Sequence, residues 1–187
     1  MVSGCLQHIV LVLLFSSGIV SLDCNDIVKS QQGAIADIRK LLEAVGTQVI
    51  SWECFHKIPD FDFPVGKDIG SIKEDTRATI GLMLEQICII FWHNFTKAEW
   101  NMTVVELFQI ALDQHIVQWE TCSVTETGEK IKFKDIRTKL KLKKYFLRLH
   151  RFLKDKEYSP CAWDTVRQEI LGISFVFLDQ LLRTLQS

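Results

Sequence analysis

Three kinds of side chain in this sequence could carry chemistry: cysteines, sequon asparagines and a dense run of cations. There are six cysteines. Cys5 lies in an apolar amino-terminal stretch, and Cys24, Cys54, Cys88, Cys122 and Cys161 follow at wide spacings. No C-x-x-C pair and no Cys–His cluster at ligand spacing occurs, so the set reads as disulfide chemistry, with no metal or cofactor expected. If Cys5 leaves with a leader, an odd number remains, and arithmetic leaves several two-bridge patterns open. Cys88 sits inside the apolar run Ile87, Ile89, Ile90, Phe91 and is the expected free thiol, because a buried cysteine packs as a small hydrophobe. Asn94-Phe95-Thr96 and Asn101-Met102-Thr103 both satisfy N-x-T, which makes Asn94 and Asn101 candidate glycan acceptors. The five histidines show no HExxH spacing and no base–nucleophile pairing, and no glycine loop is built to cradle phosphate. The chain does not read as an enzyme.

The third group lies between Lys130 and Lys156. More than half of the chain's 22 lysines and arginines fall there, against only Asp135 and Asp155. Such a run is either a solvated helix face or a surface for a receptor or for heparan sulfate. Nucleic-acid binding is not expected, because the apolar positions between the charges form a helix stripe and no recognition motif accompanies them. The whole chain has a net charge of -1, so no global basic excess draws it to polyanions or anionic lipid.

The elements that must position these groups read as helical. Hydrophobic residues make up 48% and charged residues 24%, which excludes a disordered chain. Only three prolines and nine glycines leave little turn material for a many-stranded sandwich. Residues 1–21 contain no Asp, Glu, Lys or Arg; they carry the apolar run Ile9 to Phe15 and end in small polar residues. They read as a signal peptide, leaving 22–187 as one secreted domain with no membrane insertion of the mature chain. Five helical patterns follow. They run from about 26 to 45 (Ile27, Ile35, Ile38, Leu42, Val45), from a Ser71–Glu74 capping box to about 91, and from about 101 to 121. The last two run from about 133 to 156 and from about 162 to 185. Val104, Leu107, Phe108 and Leu112 are expected to face inward from the third pattern, and Trp163, Val166, Ile170, Ile173 and Phe177 from the fifth. The connection from Gly46 to about Gly70 is long enough to be a crossover, so the first two helices are expected to run parallel.

The order and content of these segments resemble the type I interferon family. Cys161-Ala162-Trp163-Asp164-Thr165-Val166-Arg167-Gln168-Glu169-Ile170 is similar to that family's C-A-W-E-x-V-R-x-E-I signature. Leu142-Lys143-Lys144-Tyr145-Phe146, Asp60-Phe61-Asp62-Phe63-Pro64 and Met83-Leu84-Glu85-Gln86-Ile87 resemble its fourth helix, first loop and second helix. The resemblance implies an all-α, five-helix cytokine bundle of up-up-down-down type with a long first crossover loop. It implies two disulfides, Cys24–Cys122 and Cys54–Cys161, with Cys88 left free. It further implies a ligand that bridges a high-affinity and a low-affinity interferon alpha/beta receptor chain and triggers an antiviral response. The carried-over high-affinity contacts are Phe55, Arg167, Gln168 and Leu171; the low-affinity contacts are Ile89, His93, Val104, Asp113 and Lys143. Ile58 and Gly172 stand where many members carry arginine. A helical cytokine for another receptor class and a secreted helical carrier are the alternative readings.

Overall fold

The computed structural model describes residues 24–46, 54, 59–64, 75–92, 95, 98–124 and 131–186. The expected leader, the Ser71–Glu74 capping box, Phe55, His93 and Asn94 lie outside the described residues. Within them the chain forms α1 (Cys24–Val45), α2 (Thr76–Ile90), α3 (Met102–Cys122), α4 (Ile136–Asp155), α5 (Pro160–Glu169) and α6 (Phe175–Gln186). A π-helical turn, Ile170–Ser174, joins α5 and α6 into one rod.

The helix starts are written in side chains. Asn101 Oδ1 accepts from the Thr103 and Val104 amides at the head of α3. Asp135 caps α4 through the Arg137 amide, and Ser159 caps α5 ahead of Pro160, whose missing N–H is no loss at the first position. Asp75, at the head of α2, is used differently. Its carboxylate accepts from the Lys134 and Asp135 amides at 2.8 Å each, pinning the start of α4 beside the start of α2.

These and other contacts fix the helix directions. The Asn101 amide donates to Val45 O, and Cys24 is bonded to Cys122, so α3 runs against α1. Trp119 Nε1 donates to Arg77 O and Gln109 Nε2 to Phe91 O, so α3 also runs against α2. Arg167 reaches Leu42 O and Glu43 O while Gln186 Nε2 donates to Val28 O, so the α5–α6 rod opposes α1 as well. Thus α1 and α2 point one way and α3 and the rod the other, with α4 running parallel to α2. This is the up-up-down-down bundle with one added helix.

The expected stripe of α1 is buried throughout, as are Ile80, Leu84, Ile87 and Phe91 along α2 and Leu142, Tyr145, Leu149 and Leu153 of α4. Two residues depart. Leu107 is 50% exposed, because α3 turns Val105 and Phe108 inward and leaves Leu107 on the far side. Ile173 is 38% exposed, because the π turn adds a residue to the rod and brings Ser174 to the inward position instead.

Candidate functional site

The two ties between distant segments are Cys24–Cys122 and Cys54–Cys161, with Cα atoms 5.1 and 5.4 Å apart. The first joins the foot of α1 to the end of α3. The second joins the first loop to the first turn of α5. The expectation of a free thiol at Cys88 is corrected. Among the described residues no cysteine is free, and Cys88 is disulfide-bonded. Its burial follows from the apolar run around it, and burial does not exclude a bridge.

Where α1 ends, the chain bends at Gly46 under a buried polar knot. Asp164 Oδ1 accepts from Trp100 Nε1 at 3.2 Å and from Arg167 Nε at 3.3 Å. Arg167 Nη1 donates to Leu42 O and Glu43 O at 3.5 and 3.4 Å. The last carbonyls of a helix have no intrahelical donor, and a guanidinium at that end meets both the orphan oxygens and the negative end of the helix dipole. A Cβ on Gly46 would stand 2.9 Å from Trp100 Nε1, 3.0 Å from Arg167 Nε and 3.1 Å from Asp164 Oδ1, so the knot closes only over glycine. Beside it Phe91, Phe95, Trp100 and Trp163 share ring contacts at the same end of the bundle.

The 59–64 segment of the loop is fastened to α4 and the rod. Phe61 packs edge-on to Phe152, and Phe63 edge-on to both Tyr145 and Phe177. Arg148 Nε and Nη2 donate to Phe61 O and Asp62 O, at 2.8 Å each. Asp62 takes a left-handed φ of 47°, with its amide donating to Asp60 Oδ1. Behind the loop, the Tyr145 hydroxyl lies 3.1 Å from Glu169 Oε1 and 3.2 Å from Ser174 Oγ, so the π turn is what brings a hydroxyl to it. Burial pushes the Tyr145 phenol far above its ordinary range. Burial also raises the Glu169 carboxyl, which Tyr145 pulls back and the charge of Asp60 lifts further.

The residues carried over as high-affinity contacts divide. Gln168 is partly exposed. Arg167 and Leu171 are 1% and 5% exposed. They share one face, as their i, i+4 spacing requires, but that face looks toward the end of α1 and into the core. Direct contact through Arg167 and Leu171 is therefore corrected to burial. The outward face of the rod carries Gly172, Ile173 and Val176 instead. On the other side, Ile89 is exposed, Val104 and Asp113 are partly exposed, and Asp113 Oδ1 lies 3.7 Å from Cys88 Sγ. Lys143 is exposed on the rim of a groove of about 530 Å³ between α2, α3 and α4, floored by Gly81 and Trp119. Trp100, Gly46 and Arg148 were missed as organising residues. The only sequence signal for the knot is the i, i+3 spacing of Asp164 and Arg167.

Among the described residues no cluster of His, Cys, Asp and Glu could hold a metal ion, and no helix is long and apolar enough to cross a membrane. Comparison with known proteins gives a consistent assignment. Human interferon alpha-21 is 32% identical over 181 residues, covering 93% of this chain and 94% of that protein. Human interferon beta is 33% identical over 187 residues, covering 97% of each. Among solved structures, zebrafish interferon 2 matches with a TM-score of 0.65 at 22% identity, over 80% of this chain and 96% of that one, which is a likeness of fold. Residues 28–185 match the interferon alpha/beta domain. On that match, with relatives aligned over nearly its full length, the chain belongs to the interferon alpha/beta family, whose members are cytokines and not enzymes.

Proposed function

We propose that this chain is a secreted type I interferon-like cytokine that bridges the two interferon alpha/beta receptor chains and starts an antiviral response. Residues 1–21 act as its leader, and Asn94 and Asn101 as glycan acceptors. The observation that carries the reading is a composite face. A loop segment, 59–64, is held against α4 by Arg148 and two aromatic contacts and against the rod by Phe63 on Phe177, and the rod itself presents the partly exposed Gln168 and the exposed Ile173 and Val176. A loop fastened to a helix gives a receptor a preorganised surface, which lowers the ordering cost of binding. The low-affinity chain meets the opposite side, where Ile89, Val104, Asp113 and Lys143 lie on α2, α3 and α4. The test is a reporter assay with purified 22–187 on cells carrying or lacking each receptor chain. Induction that needs both chains is expected; induction independent of either, or none from folded protein, would reject the proposal.

A second reading concerns heparan sulfate. Arg137, Lys141, Lys144 and Arg151 are exposed along one side of α4, over about 21 Å at 1.5 Å per residue. Arg148 lies on the same side but is committed to the loop. Replacing Lys141, Lys144 and Arg151 by Ala should lower the salt needed to elute the protein from heparin. Unchanged elution removes this partner.

A further inference from the structure

Along α4, three large aliphatic side chains stand half in solvent. Ile136, Leu140 and Leu147 are 57%, 59% and 46% exposed. At 3.6 residues per turn they fall within about 40° of one another, on a line about 16 Å long. The line looks away from the buried side of the helix, where Leu142, Tyr145, Leu149 and Leu153 lie. We propose that this face lays the chain on the surface of an anionic lipid bilayer, with the aliphatic line entering the headgroup layer and the cations around it meeting the phosphates.

The charges complete the pattern. Lys143 and Lys154 lie along the line, and Arg151, Lys144 and Arg137 follow on one flank, all exposed. Asp135 opens the helix with its carboxylate taken by the Arg137 amide and the Thr138 hydroxyl, and no further acid occurs before Asp155. Acids of the neighbouring elements stand to either side: Asp62 beside Arg148, and Glu85 and Glu120 on the α2 and α3 walls of the groove. An apolar line bordered by lysine and arginine suits a helix that lies in the membrane interface. Lysine and arginine stems extend over apolar surface while their heads stay at the phosphates. The chain as a whole carries a net charge of -1, so the attraction belongs to this face and fixes which side meets the lipid. A sulfated glycan would engage the cations and leave the three aliphatics in water. A second copy packing α4 on α4 would set cation against cation. Of the three, a lipid surface alone takes both the charge and the apolar line. The cations are shared with the heparan sulfate reading; the aliphatics are what that reading does not need.

The test is co-sedimentation of 22–187, which lacks the apolar leader, with phosphatidylcholine vesicles that do or do not carry about one-third phosphatidylserine. Two variants accompany it. One combines Ile136→Gln, Leu140→Gln and Leu147→Gln; the other combines Lys144→Ala and Arg151→Ala. All of these side chains are exposed, so neither variant disturbs the core. The unsubstituted chain should bind the phosphatidylserine vesicles, bind less as salt rises, and leave vesicles of phosphatidylcholine alone in suspension. The glutamine variant should lose about tenfold in vesicle binding while eluting from heparin at the unchanged salt concentration. The alanine variant should lose about thirtyfold on vesicles and elute from heparin earlier. Absence of binding to the phosphatidylserine vesicles would overturn the proposal. So would equal binding to phosphatidylcholine alone, which would mean apolar adhesion without charge recognition. Vesicle binding left at full strength in the glutamine variant would overturn it as well, and would make the face a purely ionic surface for a glycan. Receptor chains take no part in the measurement, so the receptor reading and this one stand or fall separately.

Discussion

Two arginines hold the first loop at different points and under different conditions. Arg167 works at the loop's origin with its side chain 1% exposed; Arg148 works at residues 61 and 62 with 28% of its side chain exposed. Both donate to backbone carbonyls, but only Arg167 sits against a carboxylate that is itself largely shielded, with Asp164 17% exposed. Asp62, the acid nearest Arg148, is 72% exposed and 3.8 Å away. Water screens and can replace the Arg148 contacts. The Arg167 contacts are far better shielded from it. The first arginine should therefore be a matter of global stability, and the second a matter of local order in the loop.

Substitutions can break that contrast, and the largest effect belongs at the buried end. Arg167→Ala should destabilise the chain by about 3–5 kcal/mol, because it takes the cation from a largely shielded Asp164 and the donor from two helix-end carbonyls; urea unfolding measures it, and a loss below 1 kcal/mol would mean that water enters the knot. Gly46→Ala tests the same knot by crowding it, with an expected loss of about 1–3 kcal/mol. Arg148→Ala should cost about 1–2 kcal/mol at most, with proteolytic nicking near residues 59–64 rising well before the melting temperature falls far. Equal global losses at both arginines would erase the distinction. Gly172→Ala provides a control in open space: no atom lies within 4 Å of the added methyl, and the helical site should gain about 0.5–1 kcal/mol. The smallest effect is one of pH. The folded state raises the Glu169 carboxyl above its ordinary 4.5, so folding is favoured while Glu169 is protonated and loses that contribution as pH rises through the raised value. Glu169→Gln should flatten the fall in stability as pH rises above 4.5, measured by urea unfolding at several pH values. A steeper fall would mean that Glu169 is stabilised as the anion.

The same contrast shows what was legible in the sequence. The stripes of α1, α2 and α4 were, because apolar spacing at threes and fours admits one inward face. The starts of α3 and α5 were legible to within two residues, as boundaries near 101 and 162, though without the Asn101 cap. Crossover topology followed from the length of one connection. The pairing of the cysteines was not legible from spacing; it came from resemblance, as did the contact residues. Arg167 and Leu171 show the limit most clearly. Their spacing states that they share a face, and says nothing about where it points when the surrounding rod is apolar nearly all round. The π turn left no sequence signal either, and through it Ile173 went outward and Ser174 inward to meet Tyr145. What spacing cannot carry is a contact made across more than a hundred residues, such as Arg167 with Leu42.

The cap at Asn101 has a consequence for how glycosylation of this chain can be studied. The side-chain oxygen of Asn101 is spent on the Thr103 and Val104 amides, while its nitrogen, the atom a sugar would be joined to, is not part of the cap. An Asn101→Gln control would therefore change two variables together, removing the sugar and unwinding the first turn of α3, at a cost of about 1 kcal/mol for the lost cap. Thr103→Ala is the cleaner knockout. It abolishes the acceptor motif, but Thr103 serves the cap only through its main-chain N–H, which alanine retains.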